Sequence, residues 1–406
     1  MSATPSPPPS GAAPGHAEGT DDAPRPITGP NDAPGAADAD VTRWPALEPS
    51  SISGVVTSSD VIVCVGSGGV GKTTVAAAIG LMGARAGRRT AVVTIDPARR
   101  LADALGTGEL GNDPRRIDGP WPGELWASML DTRATFDALV ARYAVDRAQE
   151  ERIVANRFYR NISNALSGTQ EYMAAEKLYE LSESGRFDLV VVDTPPTRSA
   201  LDFLDASNQL TRFLDHRVYR MLTSPGRGVV KALNRTVQGL LRMATRIVGA
   251  EVLDDAVAFF AAFDGIEEGF RQRSQHIRER LGQPSSSFVL VAAARGDTLA
   301  EARWFAERLR EAQIAVRALV VNRLHPSFGS TSAEDIRARL DDAPAELATL
   351  LANWADLRAL ADAEADHVRA LARDLAVPTV PVPLLERDVT DLDALGSIAD
   401  ALDARR

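Results

Sequence analysis

The tightest constraint on this 406-residue chain is a short run, Gly66-Ser67-Gly68-Gly69-Val70-Gly71-Lys72-Thr73. It fits the spacing G-x-x-x-x-G-K-S/T in full. An apolar, β-branched run, Val61–Val65, precedes it, and an Ala-rich stretch from Lys72 to Arg85 follows, ended by Gly87. Strand, glycine loop and helix in that order make a cradle for phosphate. The glycines let the backbone come close, and the N–H groups at the helix start point at an anion. Lys72 is placed to reach β- and γ-phosphates as a point charge, and Thr73 to ligate Mg²⁺ through its hydroxyl. Thr74 is placed against an α-phosphate. A plain glycine turn packing helix on strand is the bland alternative, and the register of all three pieces argues against it.

Further strand signals follow at Ala91–Ile95, Leu189–Val192, Phe288–Ala292 and Ala318–Val321, and near Val377–Val382. Buried parallel strands read as such continuous apolar runs. The pattern predicts an α/β protein with a doubly wound, mostly parallel sheet and an inserted helical subdomain. Two strands end in carboxylates, Thr94-Ile95-Asp96-Pro97 and Val192-Asp193-Thr194-Pro195. Ligands bind at the carboxyl ends of such strands. Asp193 reads as a Mg²⁺ ligand acting through water, and Asp96 as the group that orients an attacking water.

Residues 1–50 hold 11 of the chain's 24 prolines and almost no large apolar side chain before Trp44. Such a segment cannot bury enough surface to offset its ordering entropy, so it is expected to be a disordered tail. Residues 51–406 are expected to form one domain, with helical insertions at about 130–182 and 200–282. Residues 208–249 carry eight basic side chains against the single acid Asp215. They make either the solvated face of amphipathic helices or a contact surface for an acidic partner, a client segment or an anionic membrane. Leu240, Leu241 and Ile247, and Phe259, Phe260 and Phe263, recur as stripes that suit ordinary core or an apolar groove.

The net charge is −10 and the pI about 5.2, which disfavours a nucleic-acid binder. The one cysteine, Cys64, excludes an intrachain disulfide and any multi-thiolate metal site within one chain; it reads as a small core residue of the first strand. No secretory signal and no apolar run long enough to span a bilayer are expected, so the protein is placed in the cytoplasm, with peripheral membrane contact left open. Only three of the 45 basic residues are lysines, Lys72, Lys177 and Lys231, so a retained lysine carries more information than usual.

Taken together, GSGGVGKTT at 66–74, TIDPARRL at 94–101, VVDTPPT at 191–197, LVVNRL at 319–324 and VPLLERDVTDLDAL at 382–395 resemble the deviant Walker A ATPases. Within that class the chain resembles the arsenical-pump and tail-anchored-protein-targeting ATPases, the ArsA/Get family. The resemblance covers about residues 60–402. It implies ATP hydrolysis to ADP and phosphate with Mg²⁺ in a dimeric switch, whose helices take a hydrophobic client segment. It assigns catalysis to Asp96 and Lys72. It assigns nucleotide contacts to Gly68, Gly69, Val70, Gly71, Lys72, Thr73 and Thr74, and the metal to Thr73 and Asp193. Asn322 would read adenine, and the Pro383–Glu386 loop, with Pro383 and Leu385, would cover the base.

Three departures qualify it. Ser67 stands where the family has a signature lysine that reaches the partner's nucleotide, so this chain cannot supply that cation in trans. Arg99 and Arg100 replace residues that often follow the aspartate, and either offers transition-state charge or forms a surface pair. No C-x-x-C is present, so a zinc clamp and arsenite chemistry are not expected. The first departure implies a homodimer or, better, a heterodimer with a paralogue that keeps the lysine. The alternative is a nucleotide-binding scaffold with little turnover, partnering a catalytically complete paralogue. A membrane-positioning ATPase of the MinD type ranks behind both, because Asp400–Arg406 is too short and weakly apolar for a membrane helix.

Overall fold

The structure is a computed structural model that describes residues 51–403 except 97, 161–168, 196–254, 256–257, 260 and 264. The expected tail, the basic stretch 208–249 and most of the insertion at 200–282 lie outside the described residues. In chain order the elements are α1 (Ser53–Ser58), β1 (Val61–Val65), α2 (Lys72–Arg85), β2 (Arg89–Thr94), α3 (Arg100–Ala104), β3 (Arg115–Ile117), β4 (Glu124–Met129), α4 (Thr132–Tyr143), α5 (Arg147–Ala155) and α6 (Thr169–Glu183). Then come β5 (Leu189–Asp193), α7 (Glu267–Leu281), β6 (Ser286–Ala293), α8 (Gly296–Glu311), β7 (Val316–Leu324), α9 (Ala333–Arg337), α10 (Ala345–Leu375), β8 (Thr379–Pro383) and α11 (Leu392–Asp403).

The eight strands form one sheet in the order β3-β4-β2-β5-β1-β6-β7-β8. Every pairing is parallel except β3 with β4 at one edge. Strand β1 is fully buried at the centre, which is why Val61–Val65 is apolar at every position rather than alternating. The six strands expected from sequence are β1, β2, β5, β6, β7 and β8. The remaining two, β3 and β4, carry polar or half-buried positions and give no such signal.

Both faces of the sheet are covered. On one, α1, α2, α3 and α11 pack on Ile62, Val92, Val191 and Val320. Helix α2 is buried along almost its whole length, so it is apolar all round rather than amphipathic. Gly80 and Gly83 let it lie close to the sheet: a Cβ on Gly80 would stand 2.2 Å from Val92 Cγ2, and one on Gly83 2.5 Å from Thr90 Oγ1. On the other face, α4 to α8 and α10 enclose a core rich in rings. There α4 and α5 start at Asp131 and Asp146, whose carboxylates accept from the N–H groups of Ala134 (2.9 Å) and Gln149 (2.7 Å). Phe259 and Phe263 are buried in this core, so those two rings pack rather than line an open groove. Among the described residues no helix is long and apolar enough to cross a membrane.

Candidate active site

The loop after β1 opens between strands that lead to opposite sides of the sheet, where ligands settle in open α/β sheets. Two of its glycines are obligatory by contact. A Cβ on Gly66 would stand 2.0 Å from the Val291 carbonyl oxygen. Gly71 has a φ of 90°, and a Cβ there would meet Asn322 Nδ2 at 2.1 Å. Lys72, the first residue of α2, is buried, and its Nζ donates to the Ser67 carbonyl at 2.8 Å. Burial holds its ammonium below the ordinary lysine range, opposed first by the charge of Asp193. Ser67 is itself buried, and among the described residues its hydroxyl has no partner.

Strand register assembles the acidic part. Asp193 ends β5 beside Thr94 of β2. Its Oδ2 accepts from Thr73 Oγ1 at 2.7 Å and from Thr94 Oγ1 at 2.8 Å. Among the described residues its Oδ1 is buried without a partner. Burial raises the Asp193 carboxyl to about 6, against the pull of the two hydroxyls and Lys72. A buried orphan carboxylate oxygen beside a threonine hydroxyl is a hard-oxygen donor set and suits Mg²⁺. Among the described residues no group of three His, Cys, Asp or Glu gathers for a metal.

Asp96 lies two residues beyond β2. Its N–H donates to Thr94 Oγ1 at 3.2 Å, and its Oδ1 accepts from the Ala98 N–H at 2.9 Å. The preceding carbonyl, that of Ile95, accepts from Gln170 Nε2 of α6 at 3.0 Å. The two arginines that sequence could not separate part here. Arg99 pairs with Glu109 on the surface, whereas Arg100 Nη1 sits 3.4 Å from Asp96 Oδ2 and lines the cleft. Thr194 donates through Oγ1 to the Cys64 carbonyl at 2.7 Å. Cys64 is buried in β1, and burial pushes its thiol far up, so it is an inert core group.

These pieces enclose a cleft of about 520 Å³. Its lining draws on the phosphate loop and first turn of α2 (Gly69, Gly71, Lys72, Thr73, Thr74), on Asp96 and Arg100, and on Asn322, Arg323, Pro383, Leu384 and Leu385. Gly68 is exposed and is not among the lining residues, and Val70 is buried with its carbonyl accepting from Asn322 Nδ2 at 2.9 Å. Thr94 and Arg323 join the site without having been marked in the sequence. The only signal for Thr94 is its register beside Asp193.

A parallel sheet with a phosphate loop at its centre and two carboxylates at neighbouring strand ends defines a P-loop nucleotide hydrolase. The model of the anion-transporting ATPase family matches residues 59–403, and the chain belongs to that family. It is similar to ATPase GET3 of Malassezia globosa, 25% identical over 343 residues that cover 84% of this chain and 90% of that protein. It is also similar to ATPase GET3 of Podospora anserina, 26% identical over 266 residues, with 65% and 73% covered. The ATPase ASNA1 homolog of Babesia bovis is 25% identical over 264 residues, 64% of each chain. The protein is an ATPase that uses ATP with Mg²⁺.

Proposed function

We propose that this ATPase is a dimeric switch, in which hydrolysis of ATP to ADP and phosphate sets the state of the helical layer and that layer holds a protein client or partner. The observation that carries this reading is the bond from Gln170 of α6 to the Ile95 carbonyl, one residue before Asp96. It ties the segment bearing the hydrolytic carboxylate to the helices.

In this reading Asp96, which lines the cleft, orients the attacking water. Lys72 and the amides of Gly68–Gly71 offset charge that builds on the phosphates. Thr73 and Asp193 hold Mg²⁺, which when bound supplies Lewis-acid neutralisation of phosphate charge. Thr74 contacts the phosphate chain, and Asn322, Pro383 and Leu385 hold the base. Ser67 supplies no cation across a dimer axis, which favours a paralogous partner that retains the lysine and completes this subunit's site. Such a pair is catalytically asymmetric. Cytoplasmic placement and capture of a hydrophobic segment belong to the same reading.

Magnesium-dependent turnover of the purified chain, alone and with its co-purifying partner, tests this against Asp96→Asn. The expected result is a fall of about a hundredfold or more in turnover, the scale of a lost general base, with ATP binding retained. Turnover that survives Asp96→Asn overturns the role of Asp96. Brisk turnover by the chain alone removes the paralogue, and tight binding with no turnover in either sample selects a scaffold.

A further inference from the structure

The pairing of β7 with β8 runs in step from Leu319↔Thr379 to Val321↔Pro381, then resumes at Leu324↔Pro383. Two residues of β7, Asn322 and Arg323, therefore stand opposite one of β8, which is a β-bulge. Arg323 takes a left-handed backbone at φ 58°. Among the described residues two other non-glycines do so, Gln313 and Ala376, and both directly follow helices, where that conformation closes a helix. Arg323 is held there inside a strand, a strained arrangement of the kind that gathers at functional sites.

The bulge changes which way the side chains point. In an unbroken strand neighbours face opposite sides of the sheet. Here both reach the phosphate loop: Asn322 Nδ2 donates to the Val70 carbonyl at 2.9 Å and Arg323 Nη1 to the Gly69 carbonyl at 3.2 Å. Arg323 is exposed and lines the same cleft as Lys72 and Asp96. A guanidinium carries five N–H donors in a planar fork, and the Gly69 contact occupies one side of it. Lys72 is the only basic side chain of the phosphate loop itself, so the Gly69 end of the loop carries no charge of its own.

We propose that Arg323 is a cis-acting cation for the phosphate chain of the bound nucleotide, swung into the cleft by the β7 bulge beside the Gly69 end of the loop. The proposal rests on the cleft being the ATP site, which Lys72→Ala checks separately. Arg323 grips the loop through one donor and the anion through the rest, so charge and not shape is what the position requires.

The test is equilibrium binding of ATP, ADP and adenosine to the full chain, with Arg323→Ala, Arg323→Gln and Arg323→Lys. Arg323→Ala is expected to weaken ATP roughly ten- to a hundredfold, the range for a charge-assisted hydrogen bond. Adenosine affinity is expected to hold. Arg323→Lys restores most of the loss, and Arg323→Gln, which keeps an N–H for Gly69 without charge, does not. The salt dependence of ATP binding falls in the neutral variants. Rescue by glutamine but not lysine overturns the proposal and leaves Arg323 a clasp on the loop, as does equal loss of ATP and adenosine. If wild type binds ATP and Lys72→Ala does not, the ATP site stands whatever Arg323 does. If wild type alone binds no ATP, a cis cation is insufficient and the proposal falls.

Discussion

The two faces of the sheet are built on different principles. The face under α2 contains no buried aromatic among the described residues; apart from Cys64 and Met82 it is valine, isoleucine, leucine and alanine, with Gly80 and Gly83 letting helix backbone approach strand. The opposite face holds all the buried rings among the described residues. Phe136, Tyr159, Tyr172, Phe259, Phe263 and Phe270 form a continuous set of neighbours at 5.1–6.4 Å between centroids. Beside them a buried ion pair joins two helices: Arg273 of α7 donates to both oxygens of Glu176 of α6 at 2.6–2.9 Å and lies 4.0 Å over the ring of Tyr179. Small residues in close contact permit one spacing only, which suits the helix whose first turn must grip phosphate. Rings and a desolvated charge pair specify how helices meet, and they do so at contacts that are lost together. Rigidity is concentrated where the chemistry is, and directional contact where the helices must answer it.

That contrast is broken first at Lys72. Lys72→Ala is expected to cut ATP turnover by about a thousandfold or more, the scale of a lost transition-state cation. Its apo melting temperature should hold or rise, because the ammonium is buried and held below its ordinary pKa by that burial. A paired measurement of turnover and melting checks both. Next comes the ion pair. Glu176→Gln leaves Arg273 without its countercharge and should lower unfolding free energy by about 3 kcal/mol. Glu176→Gln with Arg273→Met should recover most of that in urea unfolding, and failure to recover would mean that the pair itself stabilises the helices. Gly80→Ala sharpens the other side. A methyl forced against Val92 should cost about 2 kcal/mol, although alanine is the better helix former, and Val92→Ala should rescue it.

The smallest effect is a pH slope. Without Mg²⁺ the native state keeps on Asp193 a proton that the unfolded chain releases near 3.8, because burial lifts the carboxyl to about 6. The native state thus binds more protons in that window, and stability falls as pH rises through it. The contribution is whole below the unfolded pKa and gone above the folded one. Melting curves across that range should show this slope in wild type and lose it in Asp193→Asn.

What could be read in the sequence follows the same division. The strands under α2 are short β-branched runs buried on both faces, so β1, β2 and β5 announce themselves, and Lys72, Thr73, Asp96 and Asp193 come with them. Strands β3 and β4 do not: Arg115-Arg116-Ile117, the edge strand, exposes both arginines, and Glu124–Met129 beside it mixes buried with half-buried positions and carries Glu124 and Ser128. Thr94 and Arg323 are invisible for another reason. Their roles arise from register and from a bulge, which belong to pairs of strands and not to either alone. The arginines at 99 and 100 are equivalent as letters, and only the phase at which α3 begins sends Arg100 to the cleft and Arg99 to Glu109.

The bond between Asn322 and Val70 spans 252 residues of chain. A ribosome adding residues at 5–20 per second needs roughly 10–50 s to make that stretch. During that interval the nascent chain has its phosphate loop but not the strand that clasps it. The loop is clasped only once β7 has been made, so its finished shape reports a sheet closed as far as β7. A truncated product would carry the loop's sequence without its shape.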